Sequence, residues 1–306
     1  MCFQKQYEQV WQAFIKPTRF TYSDYDLGYK EDEIRGTPIL REDFEIPNCD
    51  KITLHGTVYC PKSLASQGLD IVIYLHTREG SRTQGLFLKE ILLPRIGLVV
   101  FDFAGCGNSD AEYITLGHKE SRDIRLVINH LRRTYNIRKI VLWGRSMGSV
   151  SALLYAEDPN NAKLISGLVL DSPFSSFNQM VDDVVKSKVW IPSCFLSCFM
   201  YFVKNTIRKK TGADMDYIEP LRSVRKLTLP VHFVVGKLDI IAKPERVRQL
   251  FLRYQGANKE FTLLEGEHNA SREAADVMKL VQFALKCFND DFPLPSRNDN
   301  KVNMNQ

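Results

Sequence analysis

The chain has 306 residues, of which 44% are hydrophobic, 25% charged and 11% aromatic. This composition is typical of a folded globular protein and excludes a disordered, collagen-like or coiled-coil chain. The 41 Lys and Arg residues against 36 Asp and Glu leave a formal net charge of +5, which is too dilute to indicate a nucleic-acid partner.

The cysteines and the apolar segments predict where the protein resides. Seven cysteines are scattered without a CxxC pair, which indicates neither a disulfide framework nor a zinc site and favours a reducing compartment. The N-terminus lacks the uninterrupted apolar core of a secretory signal. The longest apolar stretch, 189–203, is interrupted by Pro192 and is too short to cross a bilayer. We therefore expect a cytoplasmic protein without a transmembrane helix.

Residues 1–38 are predicted to hold an amphipathic helix, ending before Pro17, and a linker. The apolar residues of the helix fall on one stripe: Phe3, Tyr7, Val10, Trp11, Phe14 and Ile15. This stripe favours packing against the body of the protein. Binding to a membrane surface, aided by Cys2, is the alternative.

Residues 39–288 alternate between strands and helices. Two β-like runs between 39 and 60 predict an antiparallel hairpin. Apolar runs predict parallel strands at 71–75, 98–103, 140–143, 168–170, 231–235 and 261–264. Helical spacing predicts helices at 118–135, 149–157, 244–254 and 271–288. We expect one α/β domain with a mostly parallel central sheet, helices on both faces, and catalytic residues beyond the carboxyl ends of the strands.

Two segments depart from this alternation. Residues 172–216 have helical and apolar positions but no strand, so we expect a helical lid insertion. Its apolar residues are Trp190, Ile191, Phe195, Leu196, Phe199, Met200, Phe202 and Val203, and its basic run is Lys204, Arg208, Lys209 and Lys210. This order suits a lipid-like acyl substrate or peripheral membrane contact, and packing of the lid onto the sheet is the other explanation. The tail, 289–306, is predicted to be disordered.

The strongest chemical signal is a GxSxG sequence, 144–148, between the strand KIVLW and the following helix. The two glycines allow a sharp turn that exposes Ser146 where the helix N-terminus stabilises negative charge. We therefore predict that Ser146 is a nucleophile. Neither this glycine cluster nor the one at 105–107 matches a nucleotide-binding loop, so we expect no cofactor, and the scattered cysteines indicate no metal site.

A nucleophilic serine needs a base and a carboxylate that orients it. His232 and His268 follow Ser146, and His268 is favoured because it lies in the loop after the last strand, whereas His232 lies inside a strand. Asp239 and Asp171 both follow strands. Asp239 is favoured because it lies nearer to the histidine in sequence, while Ser172 and Pro173 after Asp171 suggest a helix cap.

Acyl transfer also requires two backbone donors for the oxyanion. The first predicted donor is the N–H of Met147, directly after the nucleophile. The second is expected from the loop 76–81, and by position it is the N–H of Arg78.

These residues resemble the α/β-hydrolase superfamily, in its serine aminopeptidase-like and monoglyceride-lipase-like branch, over 39–288. The motifs that carry the resemblance are DFAGCGNSD at 102–110, WGRSMG at 143–148, LVLDSPF at 168–174, GKLDIIAKP at 236–244 and GEHN at 266–269. The resemblance implies that Ser146, Asp239 and His268 form a catalytic triad. One departure is His76-Thr77, where the family has His-Gly.

The sequence therefore predicts a serine hydrolase that cleaves a carboxylic ester or thioester through an acyl-Ser146 intermediate. Two alternatives stay open at this point. One is an aminopeptidase-like amide hydrolase, and the other is a non-catalytic binding protein with the same fold.

Overall fold

The apolar runs of the sequence form one nine-stranded sheet in the computed structural model, which describes residues 2–48, 50–65, 67–93, 95–188 and 193–288. The strand order is β1-β2-β3-β5-β4-β6-β7-β8-β9. The strands are β1 Glu31–Ile34, β2 Thr37–Pro47, β3 Thr53–Pro61, β4 Leu69–Leu75, β5 Gly97–Phe101, β6 Ile137–Arg145, β7 Gly167–Asp171, β8 Val231–Gly236 and β9 Lys259–Leu264.

The sheet is antiparallel at its N-terminal edge and parallel elsewhere. The hairpin of β2 and β3 pairs antiparallel with β1 and β5, whereas all pairs among β4 to β9 are parallel. Strand β4 lies between β5 and β6. The chain therefore places β5 on one side of β4 and then crosses over to place β6 on the other side. The carboxyl ends of β4 and β6 therefore flank the switch point at which open α/β sheets bind ligands.

Ten α-helices are formed by the described residues, beside several short 3₁₀ helices. They are α1 Cys2–Ile15, α2 Lys89–Leu92, α3 Glu120–Thr134, α4 Met147–Ala156, α5 Pro159–Ala162, α6 Phe177–Lys188, α7 Ser193–Thr211, α8 Pro220–Ser223, α9 Pro244–Arg253 and α10 Ala274–Cys287. Within the same residues, no helix is both long enough and apolar enough to span a membrane.

Alternate residues of the strands face two separate apolar cores. Ile71 and Ile73 of β4 belong to a core with residues of α3, α4 and α9. Val72 and Tyr74 of the same strand belong to a second core with residues of α2 and α10. Because side chains alternate along a strand, both faces of the sheet carry apolar residues, and helices cover both faces. This confirms the predicted α/β architecture.

The predicted elements and the observed ones differ mainly in their limits. Strand β6 extends to 137–145 instead of 140–143, and α3 begins at Glu120 instead of residue 118. Strand β1 is not predicted, because its sequence EDEI has no run of apolar residues. The predicted tail, 289–306, lies outside the described residues, and the division into domains stays a prediction.

The segment between β7 and β8 holds α6 and α7, and α1 packs against both. The rings of Tyr7 and Phe199 lie 5.9 Å apart, and those of Phe14 and Phe177 lie 5.2 Å apart. Trp11 of α1 is buried. Tyr7, Trp11 and Phe14 of the predicted apolar stripe are therefore used within the protein.

Asp123 of α3 is a buried carboxyl group that caps the loop after β5. It accepts hydrogen bonds from the Ala104 N–H at 3.2 Å and from Asn48 Nδ2 at 3.4 Å. Burial raises the pKa of Asp123 to about 7, and the nearby Glu120 carboxylate adds to the shift. Because the unfolded pKa is about 3.9, the folded protein binds an additional proton between these values and loses stability as the pH rises from about 4 to about 7.

We expect Asp123→Asn to remove this pH dependence, because the amide oxygen still accepts the Ala104 N–H and does not titrate. From about pH 5 to about pH 8, the free energy of unfolding should fall by about 2–3 kcal/mol more in the native chain than in the variant. Urea denaturation at both pH values measures the difference. Equal pH dependence in the two proteins would contradict the shifted pKa.

Candidate active site

Strand β6 passes into α4 through a single residue, Ser146. Its φ of 51° lies in a region that residues with side chains rarely adopt. The Ser146 N–H donates to the Asp171 carbonyl at 2.7 Å, which holds the turn against β7. The Ser146 side chain therefore lies at the carboxyl end of the sheet and at the N-terminus of α4.

The two glycines of the turn are required by close contacts with the backbone. A Cβ atom at Gly148 would lie 2.0 Å from the carbonyl oxygen of Leu75, and one at Gly144 would lie 2.4 Å from the amide nitrogen of Ser149. Neither distance is compatible with a side chain. Glycine at Gly148 thus lets α4 begin against the end of β4.

Ser146, His268 and Asp239 lie in hydrogen-bond contact. The Oγ of Ser146 is 2.8 Å from Nε2 of His268, and Nδ1 of His268 is 2.7 Å from Oδ2 of Asp239. Because a carboxylate only accepts, Nδ1–H donates to Asp239 and the neutral ring can accept the serine proton at Nε2. The other oxygen of Asp239 accepts the N–H groups of Ile241 and Ala242 at 2.9 and 2.8 Å, which fixes the carboxylate.

Asp171, the alternative carboxylate, binds an arginine instead of His268. Arg272 donates from Nε and Nη2 to its two oxygens at 2.9 and 2.7 Å, and Arg145 Nε lies 3.7 Å away. Burial alone would raise the pKa of the Asp171 carboxyl, but the hydrogen bonds and charge of Arg272, with the charge of Arg145, hold this pKa below its ordinary value. Asp171 is therefore a buried anion paired with two cations.

The predicted helix cap at Ser172 is wrong. Helix α6 begins only at Phe177, and Ser176 Oγ accepts the Gln179 N–H at 3.1 Å near its start. Ser172 has a φ of 56°, and its Oγ donates to Asp171 at 3.0 Å. Ser172 thus completes the polar group around Asp171.

Both arginines also hold the loop that carries His268. Arg145 Nη2 donates to the carbonyls of His268 and Ala270 at 3.1 and 2.7 Å, and Arg272 Nη1 donates to the Glu267 carbonyl at 3.4 Å. Sequence reasoning missed both roles. The sequence offers two signals for these roles. One arginine directly precedes Ser146, and another lies four positions after His268.

His76 organises the predicted oxyanion loop after β4. The Phe103 N–H donates to its Nε2 at 3.0 Å, so Nδ1 carries the proton and donates to the Thr77 carbonyl at 2.7 Å. Burial lowers the pKa of His76, which keeps the ring neutral. The Thr77 N–H donates to Gln84 Oε1 at 2.9 Å. Thr77 has no positive φ, so threonine fits where the resembling family has glycine.

The N–H groups of Met147 and Arg78 are the two predicted oxyanion donors. Among the described residues, neither N–H has a hydrogen-bond partner. The Arg78 guanidinium donates to the carbonyl of Ala13, at the C-terminal end of α1, and to Glu79. The negative end of the α1 dipole therefore anchors the residue that carries the second donor.

The remaining candidate groups lie elsewhere. His232 is buried in β8, where its Nε2 lies 2.8 Å from Thr262 Oγ1 and its ring packs on Phe283. Burial lowers the pKa of His232 to about 4. In the part of the chain that the structure describes, no cluster of three His, Cys, Asp or Glu side chains is placed to hold a metal ion.

Comparison with known proteins agrees with this architecture. The family model described as the alpha/beta hydrolase fold matches residues 70–196. An uncharacterized protein of Bacillus subtilis, YqkD, is 26% identical over 199 residues, which are 63% of each chain. The chain therefore matches less than two thirds of that relative's length.

Two solved structures illustrate the shared fold. Esterase Pf2001 of Pyrococcus furiosus superposes with a TM-score of 0.65 at 22% identity, covering 89% of this chain and 98% of that one. An acetyl xylan esterase from Paenibacillus sp. R4 gives a TM-score of 0.64 at 14% identity, covering 91% and 98%. These likenesses confirm the α/β-hydrolase fold. The narrower resemblance to aminopeptidase-like and lipase-like members stays a prediction.

We expect Arg272→Met to destabilise the protein, because it leaves the Asp171 carboxylate buried without its closest cation. The free energy of unfolding at about pH 7 should fall by about 3–5 kcal/mol. Without Arg272, burial raises the pKa of the Asp171 carboxyl, so in the variant this carboxyl takes up a proton as the pH falls, and the difference should shrink toward about pH 4. Urea denaturation measures it, and Asp171→Asn/Arg272→Met should recover part of the loss. An unchanged stability for the single variant would contradict the role of the pair.

We expect Arg78→Ala to slow the reaction of Ser146 with a fluorophosphonate, because the loop that carries the second donor loses its anchor on α1. The second-order labelling rate should fall about ten-fold. Glu79→Ala, which leaves the bond to Ala13 in place, is the control and should label at the native rate. If both variants label at the native rate, the Arg78 side chain does not position the loop.

Proposed function

We propose that the chain, which has the α/β-hydrolase fold, is a serine hydrolase of carboxylic esters or thioesters. The observation that carries this proposal is the pair of short contacts that His268 makes. They are 2.8 Å to Ser146 Oγ and 2.7 Å to Asp239 Oδ2. A hydroxyl, a base and a carboxylate in this order are the groups that activate serine.

The first half of the proposed reaction transfers the acyl group to the enzyme. Ser146 Oγ attacks the acyl carbon while its proton passes to Nε2 of His268, and the buried Asp239 stabilises the imidazolium. The bond to the leaving alcohol or thiol then breaks, and His268 returns the proton to the leaving group. The products of this half are the free alcohol or thiol and acyl-Ser146.

The second half restores the serine. His268 takes a proton from water, and the resulting hydroxide equivalent attacks the acyl carbon. The acyl carbon then releases Oγ, which recovers its proton from His268, and a carboxylic acid leaves. In both halves the N–H groups of Met147 and Arg78 stabilise the oxyanion, and loss of one such donor typically costs about 3 kcal/mol.

Two features support an acyl ester as the substrate class. The Pyrococcus furiosus and Paenibacillus proteins of the same fold are esterases. In the sequence of the segment that holds α7, apolar residues precede a basic run, and this order favours a lipid-like acyl group. We therefore extend the proposal to acyl chains of intermediate or greater length.

We expect the native chain to hydrolyse p-nitrophenyl acyl esters and Ser146→Ala to lose at least about 10³-fold of this rate. Matched p-nitroanilide amides should react much more slowly than the esters, since an amine is the poorer leaving group. Absorbance of the released chromophore measures both reactions across acyl chain lengths.

Ser151→Ala is the matched control, because Ser151 is a buried serine on the same helix whose Oγ donates to the Met147 carbonyl at 2.7 Å. It should retain the native rate within a few-fold. Equal ester hydrolysis by the native chain and Ser146→Ala would overturn the proposal, and faster cleavage of the amides would overturn the ester assignment.

A further inference from the structure

The outer face of α7 carries large apolar side chains that no other element covers within the described residues. Phe195, Tyr201 and Phe202 are 70%, 61% and 55% exposed. Positions 195, 198, 201, 202, 205, 208 and 209 are all exposed and form one stripe at helical spacing. Aromatic residues occupy its N-terminal half, and Arg208 and Lys209 occupy its C-terminal end.

The opposite face of α7 is fully used inside the protein. Met200, Val203 and Ile207 are buried, and Tyr7 of α1 donates to the Phe202 carbonyl at 2.8 Å. Lys210 lies over the ring of Trp11 at 4.7 Å. Because α1 and the core cover one face of α7, the exposed aromatic residues lie on the opposite face.

Helix α1 does not offer a comparable surface. Trp11 and Ile15 are buried, while Lys5, Glu8 and Gln9 are among its exposed residues. Tyr7, Val10 and Phe14 are partly buried and pack against the same core as Trp11 and Ile15. The described apolar side chains of α1 are therefore engaged in packing, whereas Phe195, Tyr201 and Phe202 of α7 are exposed.

The charge of α7 indicates which surface it fits. Its 19 residues include four cations and no carboxylate. Lys204 is paired with Asp216 at 2.7 Å, whereas Arg208 is 66% exposed and 3.7 Å from Asp214. Together with the exposed Lys209, Arg208 presents positive charge one to two helical turns beyond the aromatic residues, about 10 Å along the axis.

We propose that α7 docks on an anionic phospholipid surface through this stripe. The aromatic half enters the headgroup and acyl boundary to a depth of about 5–10 Å, and the cationic end contacts lipid phosphates. Amphipathic helices with aromatic residues on one side and Lys or Arg beside them bind bilayers in this way. The docking does not depend on the proposed hydrolase reaction.

Flotation of the full chain with vesicles tests the proposal. We expect binding to vesicles of 30% phosphatidylserine in phosphatidylcholine and little binding to phosphatidylcholine alone. Phe195→Ser/Phe202→Ser should weaken binding at least about ten-fold, and Arg208→Gln/Lys209→Gln should weaken it about twenty-fold. Leu252→Ser on α9, which is 64% exposed, and Arg225→Gln are the matched controls and should bind as the native chain does.

Two further measurements separate the alternatives. Ser146→Ala should float with the vesicles as the native chain does, so loss of catalysis and loss of docking are distinguishable. Hydrolysis of a short soluble ester by the α7 variants should stay at the native rate, which shows that they fold. The proposal fails if the native chain does not bind anionic vesicles or if both α7 variants bind normally. It also fails if light scattering finds a dimer that Phe195→Ser/Phe202→Ser converts to a monomer.

Discussion

The positive φ of Ser146, held where β6 meets α4, is the constraint on which the site depends. Such a backbone costs about 1–3 kcal/mol and persists only where its surroundings enforce it. Here Gly148 allows α4 to begin against the Leu75 carbonyl, and the Ser146 N–H is held by the Asp171 carbonyl. Burial of α4 against the sheet offsets the strain. The backbone therefore fixes the position of the serine hydroxyl.

The backbone carbonyl of Asp171 binds Ser146. Its carboxylate binds Arg272, which in turn contacts the loop that carries His268. Its carbonyl accepts the Ser146 N–H, while its carboxylate binds Arg272, and Arg145 and Arg272 both bind carbonyls of the His268 loop. Buried charges of opposite sign cannot be removed one at a time without leaving the partner unpaired. This arrangement explains why two carboxylates follow neighbouring strands while only Asp239 contacts His268.

Much of this architecture follows from local pattern. Apolar runs locate the parallel strands, and because their carboxyl ends share one edge of the sheet, Ser146, Asp239 and His268 are expected to lie close together. The pairing of Asp171 with Arg272 spans about a hundred residues and has no local signal. The same holds for α7, where Phe199 is half-buried against Tyr7 of α1 while Phe195, Tyr201 and Phe202 are exposed. Trp190 and Ile191 lie outside the described residues.

The central claim is that Ser146 becomes covalently acylated during turnover. Rapid mixing with an activated acyl ester, acid quenching and peptide mass spectrometry would locate the adduct. The account predicts an acyl group on the peptide containing Ser146, formed at a rate that accounts for turnover and absent in His268→Ala. Turnover at the native rate with Ser146 unmodified throughout, or with the acyl group on a different residue, would contradict it.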